Sequence, residues 1–125
     1  MRQAEEGLSV VAEALITVNK TGEREYKAEL YRLKGELTLE SKVQGSESKV
    51  EEEAEECFHK AIEVARRQEA KSWELRAATS LARLWQQQGK KDEAQQLLAE
   101  IYGWFTEGFE TKDLQEAKRL IEELS

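Results

Sequence analysis

The residues best suited to chemistry are few. One histidine and one cysteine stand against 26 acidic and 19 basic side chains. Cys57 and His59 are two residues apart, a spacing that on a helix sets them about 200° apart around the axis and prevents joint metal ligation. Cys57 therefore reads as a small residue of a buried face, and His59 as part of a solvated one. No Gly-x-Ser-x-Gly elbow, Cys-x-x-Cys pair or glycine-rich phosphate loop occurs, so neither an activated nucleophile nor a phosphate cradle is signalled. The stretch Gly103-Trp104-Phe105-Thr106-Glu107-Gly108 lacks the lysine that such a loop needs. The expectation is a non-enzyme with no catalytic, cofactor-binding or metal site.

Charge and shape remain as the carriers of function. A net charge of −7 argues against a general nucleic-acid or anionic-membrane binder. The length suits one domain, and one cysteine excludes an internal disulfide framework. No run of about 18 apolar residues occurs. The opening Met1–Gly7 lacks the charged-then-apolar order of a signal peptide. A reduced, cytoplasmic setting is expected.

Helices must position whatever partner chemistry exists. Proline is absent and glycine punctuates segments rich in helix formers. No stretch alternates apolar and polar residues as a strand would. Six helices are expected: roughly 2–19 and 23–41, a third starting near Ser48, then 72–88, 91–103 and 111–124. The first carries Leu8, Val11, Ala12, Leu15 and Ile16 on its apolar side, and the second carries Leu30, Leu33 and Leu37 as a stripe. The third opens on Ser48 and Glu51, a capping-box pattern, and five of the six residues from Glu51 to Glu56 are acidic where the helix dipole favours them. Ala54, Cys57, Phe58, Ala61, Ile62 and Ala65 supply its buried face.

Residues 81–98 read Leu-Ala-x-x-Trp-x-x-x-Gly-x-x-x-x-Ala-x-x-x-Leu. Ala82, Trp85, Gly89, Ala94 and Leu98 follow the order and spacing of the tetratricopeptide repeat, which the segment resembles. Small residues at 82 and 94 permit close helix approach, and Gly89 supplies a turn without a Cβ penalty. A weaker copy lies upstream, with Gly35 in the small position of a first helix and Ala54, Phe58 and Ala61 in the second. Ala54 to Ala94 spans 40 residues, longer than the regular 34-residue period, and the customary proline after the second helix is missing. Over nearly the whole chain, ELYRLKGEL (29–37), ARRQEAKSWELRAATSLARLW (65–85) and IYGWFTEGFET (101–111) are similar to the C-terminal helical-repeat tail of bacterial multidomain signalling proteins. In those, a class III adenylate/guanylate cyclase domain or a transcriptional regulator is joined to a predicted AAA-like ATPase. The resemblance implies an all-α fold of antiparallel helix pairs in a right-handed tetratricopeptide-like superhelical array. Residues 1–20 would be a half repeat, 23–70 a first pair with an extended loop, 72–103 a second pair and 111–124 a capping helix. It brings no cyclase or ATPase chemistry, because the motifs for both are absent.

In that family the first helix of each pair lines the concave surface. By register, the ligand-facing positions are Glu29, Arg32 and Glu36 in the upstream pair, and Arg76, Thr79, Arg83 and Gln86 in the downstream pair. Arg76 and Arg83 lie seven residues apart on one helix face, and with Arg32 they suit an acidic peptide or carboxylate. The competing reading is a solvated face with intrahelical ion pairs. Tyr102, Trp104, Phe105 and Phe109 form an aromatic cluster, either a joint that holds the last helix or a docking patch. Val10, Leu15 and Ile16 in the first helix raise the prospect of self-association, since a repeat cannot bury its apolar face alone. The expected function is a non-catalytic protein–protein interaction or regulatory module, binding a protein or peptide or neighbouring domains of a larger signalling protein. The alternative is a structural spacer or oligomerisation domain without a groove ligand.

Overall fold

The structure is a computed structural model that describes the backbone of residues 2–21, 27–40, 47–105 and 111–124, with side chains described for 6–16, 27–40, 49–105 and 111–124. Its elements are α1 (Arg2–Thr21), α2 (Lys27–Glu40), α3 (Glu47–Arg67), α4 (Lys71–Gln87), α5 (Lys91–Tyr102) and α6 (Lys112–Leu124). The fold is all-helical, as periodicity predicts, and no strand occurs among the described residues. No described helix is long and apolar enough to cross a membrane.

Each helix packs on the next, and α4 also touches α2 and α6. Among the described residues α3 and α5 do not meet, so α2, α4 and α6 form one row with α3 and α5 behind it. Flanked on four sides, α4 is buried around most of its circumference, including the polar residues Glu74, Thr79 and Ser80. Phe58, Leu75, Leu81, Leu84, Leu98 and Ile101 are the large side chains at the centre of the core. Leu114, Ala117, Leu120 and Leu124 dock α6 onto it.

Small residues set the helix spacing, as their positions in the sequence suggest. Ala82 and Ala94 are fully buried. At Gly35 the contact is closer still: a Cβ there would stand 2.5 Å from Cε1 of Phe58, so the α2 backbone rests directly on the ring. This explains why the buried line of α2 is Ala28, Gly35 and Thr38, and not the expected Leu30–Leu33–Leu37 stripe, whose members are only half-buried. Leucines on that line would hold α3 away. Leu37 instead turns toward α1, where it approaches Gly7.

Two turns of the same construction connect α3 to α4 and α4 to α5. Ala70 N–H donates to the Ala65 carbonyl and Glu69 N–H to that of Arg66; Lys90 N–H donates to the Trp85 carbonyl and Gly89 N–H to that of Gln86. Both are Schellman closures, which need a left-handed residue just past the helix. Gly89 adopts φ +81° without steric cost, but the first turn places Glu69 there at φ 56°.

Other expectations need correction. Cys57 is half-buried at the margin between α2 and α3 and not part of the core, because the buried positions on that side of α3 are taken by Ala54, Phe58 and Ala61. The described helix α3 begins before Ser48, so Ser48 lies inside it and not at its N-cap. In α1, Val11 and Leu15 are buried, whereas Val10 is 65% and Ile16 56% exposed, because among the described elements only α2 covers this helix.

Candidate functional site

Arg32, Arg76, Thr79 and Arg83 line one polar cleft of about 120 Å³ where α2, α4 and α6 meet. Helical spacing assembles the α4 share: Arg76, Ser80 and Arg83 recur at i, i+4 and i+7, on one face. Glu29, Glu36 and Gln86, the remaining three residues assigned to this face, do not line the cleft. Glu36 stands at its edge, 3.9 Å from Arg32. The third wall is α6, which contributes Lys112, Asp113 and Glu116. Local periodicity could not supply these residues, because α6 reads as a cap and its polar side has no visible destination in the sequence.

The arginines are not free. Arg32 grips Glu29 with two hydrogen bonds, Nε to Oε2 at 3.0 Å and Nη2 to Oε1 at 2.7 Å, and both side chains are largely buried. That hydrogen bond holds the Arg32 guanidinium above its ordinary pKa, against the opposing effect of burial. Arg76 Nη1 reaches Glu29 Oε1 at 2.9 Å and its Nε faces Asp113 at 3.5 Å. Arg83 Nη2 faces Glu116 at 3.4 Å. Lys112 has no ion pair among the described residues. These contacts differ in kind. The Glu29–Arg32 fork is desolvated and bidentate, so it fixes the floor of the cleft. The α4–α6 contacts are long, single and substantially exposed, and such pairs contribute about 0–1 kcal/mol. Arg76 and Arg83 can therefore exchange Asp113 and Glu116 for another anion at little cost.

The hydroxyl groups divide similarly. Thr79 lines the cleft, and its hydroxyl donates to the Leu75 carbonyl of its own helix at 2.8 Å. Ser80, absent from the residues assigned by register, is 5% exposed, lines the cleft and makes no hydrogen bond among the described residues.

Elsewhere the polar residues serve packing. Glu74 is a buried carboxylate held by Arg66 Nε at 2.6 Å, tying the end of α3 to the start of α4. Trp85 Nε1 donates to Glu55 at 3.0 Å, and His59 lies beside both, 3.7 Å from Glu55 and 6.1 Å from the Trp85 ring. Glu56-x-x-His59 has a spacing that can ligate metals when a second helix supplies partners. Among the described residues, no group of three or more such side chains converges. Cys57 borders a separate hollow with Tyr31, Lys34, Thr38 and Lys60, and burial pushes its thiol pKa up. In the aromatic cluster, Tyr102 and Phe105 are half-buried against the core, while Trp104 is 38% exposed. Phe109 lies outside the described residues.

No protein-family model, curated protein or solved structure matches the chain.

Proposed function

We propose that the chain is a tetratricopeptide-like interaction module whose α2/α4/α6 cleft receives an acidic segment of a protein partner. The observation that supports this most is the convergence of Arg32, Arg76 and Arg83 on one polar cleft, where Arg83 is held by a long, exposed contact to Glu116 and Arg76 adds a similar contact to Asp113 beside its 2.9 Å pair with Glu29. Guanidinium forks favour carboxylates and phosphates at defined geometry. The Glu29–Arg32 fork keeps the floor rigid, so binding requires only side-chain exchange. The right-handed superhelical array, the non-catalytic role and the place within a larger cyclase- or ATPase-containing signalling protein belong to the same reading, and rest on the sequence resemblance. Titration with acidic peptides, followed through the arginine Nε resonances, tests it. Movement of Arg76 and Arg83 with Arg32 nearly unchanged is the expected result. Movement confined to other surfaces would refute the site.

A second reading, assembly through the N-terminal end, draws support from the exposure of Val10 and Ile16. Sedimentation equilibrium decides it: mass that rises with concentration, and that falls to a monomer in V10D/I16D, favours assembly.

A further inference from the structure

We propose that the α2/α4/α6 cleft selects a phosphomonoester dianion over a carboxylate; this rests on reading the cleft as the partner site. Its own ion pairs carry the argument. Asp113 and Glu116 already supply carboxylates to Arg76 and Arg83, at 3.5 and 3.4 Å. An incoming carboxylate would exchange one monoanion for another with the same number of acceptor oxygens, and the gain would be small. A phosphomonoester carries about −1.5 to −2 charges and three strong acceptor oxygens. One such group can engage Arg76 and Arg83 together, which no single carboxylate among the described residues does, and still present an oxygen to a further donor.

Two donors await it. Lys112, on the first turn of α6, has no ion pair among the described residues, and Ser80 is 95% buried in the cleft wall without a hydrogen-bond partner among them. The Ser80 side chain is buried but its hydroxyl opens on the cleft, so an oxyanion there would replace water as its partner. The cleft volume, about 120 Å³, suits a single tetrahedral group and is far too small for a folded segment. The opposing charges are Glu29 and Glu36 on α2 and Asp113 and Glu116 on α6. Glu29 remains committed to Arg32 through the buried fork. Displacement therefore falls on the two α6 carboxylates, which can turn outward into solvent.

The test is calorimetric and NMR titration of the full chain with the peptides acetyl-Glu-Glu-X-Glu-Glu-amide, where X is serine, glutamate or phosphoserine, and with inorganic phosphate. The phosphoserine peptide should bind about tenfold or more tightly than the glutamate peptide, with shifts centred on Arg76, Arg83 and Lys112. Ser80→Ala should reduce that preference several-fold without lowering the melting temperature, and D113N/E116Q should tighten phosphoserine binding. Inorganic phosphate matching the phosphopeptide in affinity supports the same chemistry from a free ligand; a much weaker phosphate response supports a peptide-borne group. Equal affinity for glutamate and phosphoserine peptides overturns the selectivity and leaves acidic-segment binding standing. Absence of cleft shifts with every peptide overturns both, as does phosphoserine binding that survives R76Q/R83Q unchanged.

Discussion

The α2–α3 seam and the α2/α4/α6 cleft share one helix and are built in opposite ways. At the seam, Gly35 lets backbone rest on the Phe58 ring with no space for a methyl group. Three residues earlier on α2, Arg32 enters a polar cleft whose outer contacts are long and exposed. The seam is dry and fixed by shape; the cleft is wet and held by exchangeable charge. The difference teaches where each kind of substitution should register. Changes at the seam should alter stability and leave the chemistry of the cleft intact, while charge changes at the exposed α4–α6 contacts should alter binding more than stability.

The largest effect is expected from Phe58→Ala. Removing a fully buried ring should destabilise the fold by about 3–5 kcal/mol, read by denaturant unfolding. Any surviving folded fraction should bind an acidic ligand with unaltered affinity; a folded but non-binding variant would break the separation between seam and cleft. Gly35→Ala comes next. Alanine favours a helix over glycine by about 1 kcal/mol, but a Cβ 2.5 Å from Phe58 overpacks the seam at a cost of about 1–3 kcal/mol. The net expectation is a loss of up to about 2 kcal/mol, and an increase in stability would show that the ring yields freely.

Fold and site were not equally legible in the sequence. Gly89 announced its turn because only glycine takes a positive φ without strain, and Ala82 and Ala94 announced close helix approach because both belong to one local pattern. The equivalent turn at Glu69 carried no such signal, since the chain tolerates a strained glutamate there. Register put Arg32, Arg76 and Arg83 on one shared face, and the structure brings them to one cleft. Their carboxylate partners were not, because Glu29 meets Arg76, and Asp113 and Glu116 reach α4, across distances in sequence that periodicity does not carry. Ser80 escaped for a related reason: on a helix buried nearly all round, an unpaired hydroxyl is evident only once every neighbour is in place.

The paired turns sharpen the comparison with the smallest effects. Gly89→Ala should destabilise by about 1–2 kcal/mol, the cost of a Cβ in the left-handed region. Glu69→Gly should stabilise by up to about 1 kcal/mol, as strain relief outweighs the extra freedom of the unfolded chain. Thermal unfolding of the two variants should therefore move in opposite directions. Movement in the same direction would show that the two closures do not depend on the same backbone geometry.

The account stands most directly on charge reversal in the cleft. In R76E/R83E the Glu29–Arg32 fork and the whole seam remain, so circular dichroism should keep the helical signal of the parent chain, while the melting temperature should fall modestly because the Arg76–Glu29 pair at 2.9 Å is lost. Affinity for an acidic peptide, measured by calorimetry against the parent, should fall at least about tenfold, given that charge-assisted contacts contribute about 1.5–3 kcal/mol each. An R76E/R83E chain that keeps its fold and binds the peptide as tightly as the parent would contradict the assignment of this cleft as the partner site.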